Sequence, residues 1–173
     1  KALKEYCEGK RQNPVWAIGE LDYLGEGIND VWLNSVQTVL ILDELNEAAI
    51  LNAMRNGKMY AVSKPRQESE LKLDEFLVED AQSGAIATMG ETIRIRGKPT
   101  IKLKVSFASG ASKPVKIKLI KGGNLIKIYE VITPAAISLE DSLLETGGKS
   151  YYRLEVYRDW NSILISNPVF VMN

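Results

Sequence analysis

The 173 residues suit one ordinary domain or two small ones, and a hydrophobic content of 45% is enough to build a core. Lysine plus arginine and aspartate plus glutamate balance at 22 each, so the net charge points neither to nucleic acid nor to an anionic membrane. With no histidine and a single cysteine, Cys7, the chain excludes a Ser-His-Asp or Cys-His catalytic device and an internal disulfide. No apolar run reaches the roughly 18 residues that a membrane-spanning helix needs.

The first stretch, "KALKEYCEGK", has no apolar core of the kind a signal peptide carries and reads as the middle of a helix, with Leu3, Tyr6 and Cys7 on one face. The expectation is that residues precede it, so cytoplasmic and extracytoplasmic locations both stay open. Cys7 reads as a small buried apolar residue, because no base is present to make it a nucleophile. "VWAIGEL", Val15 to Leu21, is apolar enough for a buried strand. "VWLNSVQTVLIL" then reads as extended chain. In "NEAAILNAMRNGKMYAV", Asn46 is placed to cap a helix and Glu47 to meet the positive end of its dipole. Ile50, Ala53 and Met54 form an apolar stripe, and Gly57 is placed to end the helix in a left-handed conformation. "MYAV" resumes as a strand.

After the polar break "SKPRQES" the pattern changes to period two. "TIKLKVSF" sets Ile101, Leu103, Val105 and Phe107 on one face. "VKIKLI" does the same with Val115, Ile117 and Leu119, and "YYRLEVY" with Tyr152, Leu154 and Val156. "KGGN" is a hairpin turn, and Pro168 in "SNPVFV" suits an edge or a bulge. Turns recurring about every 8–12 residues predict a two-sheet sandwich. The fold class is therefore α+β: residues 1–66 as a partial α/β segment that needs a larger sheet, and residues 67–173 as an antiparallel, immunoglobulin-like β-sandwich.

Between the strands of the first part lies "GELDYLGEGIND", Gly19 to Asp30, oxygen-rich and turn-prone. A zinc site wants His or Cys, and no His exists. As a calcium loop, Asp22, Glu26, Gly27 and Asp30 fall at suitable positions, but Leu24 and Leu33 stand where oxygen ligands belong. A solvated turn is the favoured reading, with a partial metal loop and a calcium site as alternatives.

Four stretches in this order carry a resemblance: "GELDYLGEG", "EAAILNAMRNGKMYAV", "ATMGETI" and "YYRLEVY" followed by "SNPVFV". The chain resembles the C-terminal part of PHP-type metal-dependent phosphoesterases, the polymerase and histidinol phosphatase superfamily, in members where a sandwich follows the metal-binding barrel. The resemblance implies that residues 1–66 are the end of that barrel and that a divalent metal, zinc or manganese, is held by residues upstream of Lys1. Asp22 matches the aspartate of the family's late Asp-x-His metal motif, and Leu24 occupies the histidine position. The chain itself is thus expected to hold no cofactor and no catalytic residue. It is expected to be inactive as a hydrolase alone, with the upstream barrel portion or a second copy of the chain as its partner. The competing reading is a ligand- or partner-binding sandwich with no link to hydrolysis.

Four further patterns carry less. "ETGGKS", Glu145 to Ser150, approaches a phosphate-binding loop, but Leu143 stands in place of its first glycine and a strand follows. Glu20 and Asp22 would face the same way on a strand. Lys102, Lys104, Lys116 and Lys118 would form a basic patch if their strands were neighbours, although a solvated sheet face is the favoured reading. Trp16, Trp32 and Trp160 are read as core or interface anchors.

Overall fold

The structure is a computed structural model that describes residues 1–22, 25, 32–65, 68–142, 148–159 and 162–173. Among the described residues are two helices, α1 (Ala2–Cys7) and α2 (Glu47–Asn56), and twelve strands: β1 (Val36–Leu40), β2 (Met59–Ser63), β3 (Leu71–Asp80), β4 (Ile86–Thr88), β5 (Thr92–Arg94), β6 (Pro99–Phe107), β7 (Pro114–Lys121), β8 (Asn124–Ile132), β9 (Ala135–Glu140), β10 (Lys149–Tyr157), β11 (Ile163–Ser166) and β12 (Val169–Met172). Among the described residues, no helix is long and apolar enough to cross a membrane.

The strands form two mostly antiparallel sheets. β4-β3-β6-β9 make the smaller one. In the eight-stranded sheet β10 is central, with β7 and then β8 on one side. On its other side β11 and β12 follow one another, and the step between them has a local cause. Tyr152 faces Val169 while Glu155 faces Ile165, so three steps along β10 oppose four on its neighbour. The extra residue falls at Asn167 and Pro168. Proline has no N–H to give to a ladder, so the strand bulges there. Asn167 is buried, and its side chain replaces the missing ladder: Nδ2 donates to Met59 O at 3.0 Å and to Ala17 O at 3.3 Å, and Oδ1 accepts from Ala17 N at 2.7 Å. Beyond the bulge, β11 pairs with β2 and β12 pairs in parallel with β5.

The alternating residues of β6, β7 and β10 point inward as their period requires. Ile101, Leu103, Val105, Phe107, Val115, Ile117, Leu119, Tyr152, Leu154 and Val156 are all 4% exposed or less. Tyr60 and Val62 of β2 belong to the same apolar cluster, so the core continues across the expected boundary at residues 66 and 67, which lie outside the described residues.

Helix α2 forms as its ends predict. Ala49 N donates to Asn46 Oδ1 at 2.8 Å, and Gly57 closes the helix at φ 70°. Its stripe is only partly used: Ala53 is buried, whereas Met54 is 46% exposed. Helix α1 is held by Tyr6, whose ring meets Phe170 edge-on at 5.0 Å, with the Lys149 ammonium 3.9 Å from the Tyr6 ring centroid. Cys7 is half-buried, and that burial raises its thiol pKa.

Two expectations are corrected. Val15 to Leu21 is not a strand and is not buried: Val15 and Ile18 are 43% and 56% exposed. The segment runs beside β1 and is tied by side chains instead of a ladder. Gly19 N donates to Thr38 Oγ1 at 2.8 Å, and Trp16 Nε1 donates to Arg55 O at 2.9 Å. Gly19 lies so close to β1 that a Cβ there would stand 2.5 Å from Gln37 O. The extended reading of "VWLNSVQTVLIL" holds for β1, but it is preceded by a turn in which Ser35 N donates to Trp32 O at 2.8 Å.

Candidate functional site

Asp22 is exposed at the end of the tied segment 15–22, and Glu20 nearby is exposed as well. Neither lies on a strand, so the same-face geometry that strand periodicity would give them is absent. Leu24, Glu26, Gly27 and Asp30 lie outside the described residues, as do Glu145 and Trp160. Among the described residues, no group of three or more His, Cys, Asp or Glu side chains is placed to hold a metal ion. One exposed carboxylate supplies neither the nitrogen or sulfur donors of a zinc site nor the oxygen cage of a harder cation. The described residues do not fit the divalent metal that the PHP resemblance implies. At the other glycine-rich stretch, Lys149 and Ser150 open β10, so a strand stands where a phosphate-binding loop needs a helix.

The four lysines separate. Lys102 and Lys104 stand on β6 in the smaller sheet, Lys116 and Lys118 on β7 in the larger. Each of the first pair meets a carboxylate of β3: Lys102 bonds Glu79, and Lys104 bonds Glu75 at 3.0 Å. Lys116 meets Glu130 at 3.0 Å. The basic patch is therefore not formed: two sheets carry its parts, and cross-strand partners neutralise most of it.

An open trough of about 740 Å³ lies on the outer face of the large sheet. Lys116, Lys118 and Tyr157 line it together with Pro114, Ile132 and Ile163. Its shape follows from register. Lys116 stands opposite both Glu130 and Tyr157, and Tyr157 opposite Ile163, so one row of outward side chains crosses four strands. The Lys118 ammonium lies 4.4 Å from the centroid of the Tyr157 ring, within cation–π range. The Tyr157 hydroxyl donates to Glu155 Oε2 at 2.7 Å. Burial, reinforced by that carboxylate, pushes the phenol up to about 12, so it stays protonated at neutral pH. Arg158 pairs with Glu68 and, at 3.1 Å, with Asp159 at the trough's end. Among the described residues, the lining combines apolar side chains with paired charges. The sequence signal for it was the outward set of "YYRLEVY", Arg153, Glu155 and Tyr157, whose meaning depends on which strands lie alongside.

A second polar cluster is enclosed. Lys121 Nζ donates to Asp141 Oδ2 at 2.8 Å, and the Tyr152 hydroxyl donates to the same oxygen at 2.6 Å. Burial, with the Asp141 carboxylate adding to it, raises the Tyr152 phenol far above its usual range. The cluster joins β7 and β10 of one sheet to Asp141, the residue just after β9 of the other. It fastens the two layers.

No family model matches the chain, and no curated protein matches it.

Proposed function

We propose that the chain is the non-catalytic C-terminal region of a PHP-like metal-dependent phosphoesterase, a β-sandwich that gives the catalytic barrel a surface to seat on. One observation supports this reading. Of the eleven exposed large apolar side chains among the described residues, seven lie between residues 15 and 54. Leu45 at 87%, Leu33 at 67% and Ile18 at 56% exposure are far from the behaviour of a finished surface that mixes single apolar residues with charge. An α/β body packed against this stretch would cover them, and the same stretch carries the resemblance to the end of the barrel.

The test uses the chain with and without the upstream part of its own reading frame. With it, amide exchange across Leu45 to Met54 should slow by at least about tenfold, as for any newly covered element. The upstream part should also bring in clustered His and Asp residues. The 173-residue chain alone should not hydrolyse phosphomonoesters or phosphodiesters with zinc or manganese. An upstream sequence without such clusters, or turnover by the chain alone that is lost in Asp22→Ala, overturns the reading. The trough favours the second reading, a partner-binding sandwich unconnected with hydrolysis, and an upstream sequence lacking metal ligands would leave that one standing.

A further inference from the structure

We propose that the trough on the outer face of the large sheet is a binding site for a small amphipathic anion, an apolar body carrying a single carboxylate, with the carboxylate held by Lys118. The site is built from β7, β8, β10 and β11 and not from residues 15–54, so it stands or falls separately from the barrel reading.

Size and direction come from the strands. The volume of about 740 Å³ falls in the range of roughly 300–1,000 Å³ that small-molecule sites occupy. Pro114, Lys116 and Lys118 are alternate residues of β7, with the inward Val115 and Ile117 between them. The lining therefore runs along the strand for about 13 Å, from Pro114 to Lys118. Its two ends differ. At the Pro114 end, Ile132 stands opposite on β8 and is 67% exposed. Tyr157 and Ile163 stand midway, in register with Lys116. Lys118 lies at the other end. An apolar body laid lengthwise would cover Ile132, Pro114 and Ile163 and bring its head group to the Lys118 ammonium.

The charges select the head group. Lys116 is matched by Glu130, and Arg158 by Glu68 and Asp159. Glu155 stands opposite Lys118 on β10, but its carboxylate is bonded to Arg153 Nη1 at 2.7 Å and to the Tyr157 hydroxyl at 2.7 Å. It meets the Lys118 charge only at longer range. The Lys118 ammonium is placed instead by the Tyr157 ring, which fixes its position without neutralising its charge. The lining thus carries three cations, Lys116, Lys118 and Arg158, against two carboxylates, Glu130 and Asp159. An excess of a single positive charge, located at one end of an otherwise apolar or matched surface, is complementary to a monoanion. A neutral ligand would take water from Lys118 without replacing it, and a cationic one would meet repulsion there.

The test uses octanoate and the whole 173-residue chain, followed by amide NMR shifts and calorimetry. Saturable binding is expected with a Kd of about 0.1–1 mM, in keeping with a ligand of this size in an open site. The shifts should centre on Lys118, Tyr157, Ile163 and Ile132. Octanol and octylammonium, which keep the tail and change the head, should each bind at least about tenfold more weakly. Lys118→Met keeps the apolar stem, loses the charge, and should weaken octanoate at least about fivefold. Ile132→Ser, at the apolar end, should weaken it about threefold or more. Lys104→Met, on β6 of the other sheet, should leave it unchanged. None of the three substituted side chains is buried, so the variants' unfolding midpoints should match the parent. No saturation up to about 10 mM octanoate overturns the proposal. So does octanol or octylammonium binding as well as octanoate, a comparison made on the parent chain alone. Octanoate binding unchanged in Lys118→Met overturns it as well, and so do shifts centred on the open apolar stretch 15–54.

Discussion

Asp141 shows how much can rest on one side chain. Its Oδ2 accepts from both Lys121 and Tyr152, and all three residues are buried. Asp141→Ala removes the buried carboxylate that Lys121 and Tyr152 share, so we expect a loss of about 3–5 kcal/mol in urea unfolding. Tyr152→Phe removes one hydrogen bond to a charged acceptor and should lose only about 1.5–3 kcal/mol. Equal losses would mean that Lys121 is satisfied elsewhere. Asp80 acts differently. Its carboxylate accepts from Ser83 Oγ at 2.6 Å, and from the backbone N–H groups of Ser83 at 3.1 Å, Arg96 at 3.2 Å and Gly97 at 2.9 Å. Chiefly through the Ser83 hydroxyl, these donors hold its pKa down to about 2. The unfolded value is about 3.9, so this stabilisation is fully present above about pH 4 and is lost as pH falls through the folded value. Stability followed by denaturant titration should decline across that window, and Asp80→Asn should flatten the decline. Ser83 lies within "VEDAQSGA", but Arg96 and Gly97 are 16 and 17 residues from Asp80, and nothing in that stretch predicts them.

At the scale of elements, helix α2 was fully legible because its signals are local. An oxygen at Asn46 meets an amide three residues on, and a glycine tolerates φ 70° at the end. Asn46→Ala should lose about 1 kcal/mol by thermal unfolding. Gly57→Ala should lose more, because a Cβ there would lie 2.5 Å from the Trp16 ring in addition to straining the backbone. Both effects should shrink together if α2 frays in the folded chain. The segment Val15 to Leu21 was misread for the opposite reason. Its apolar content is that of a strand, but a strand is defined by a neighbour. Here the neighbouring bonds are made by the side chains of Asn167 and Thr38. The bulge between β11 and β12 could be placed near Pro168 from chemistry alone, but its effect on pairing could not.

For the whole molecule, the question is where the core ends. β2 hydrogen-bonds β11 from Ser63 opposite Ile163 to Tyr60 opposite Ser166, and Tyr60 and Val62 are buried with Ile117 and Leu154. We therefore expect the intact chain to unfold in one cooperative transition. The segment 67–173 alone should unfold at a lower urea midpoint, because it exposes one edge of β11 and loses the apolar cover of β2. An unchanged midpoint would show that β2 adds nothing to the sandwich. The candidate site belongs to this scale too. Tyr157 and Lys118 are 39 residues apart in sequence and meet because β10 and β7 are neighbours.

The sequence by itself determined which side chains of β6, β7 and β10 face inward, where α2 begins and ends, and that the second part is a sandwich. Period-two alternation and capping chemistry act over a few residues and are written in order along the chain. Only the tertiary structure decided which strands share a sheet. That choice is a matter of hydrogen bonding between distant segments, and alternation is identical whichever neighbour is taken. For this reason "TIKLKVSF" and "VKIKLI", so alike as sequences, stand in different sheets, and a basic patch drawn from both does not exist.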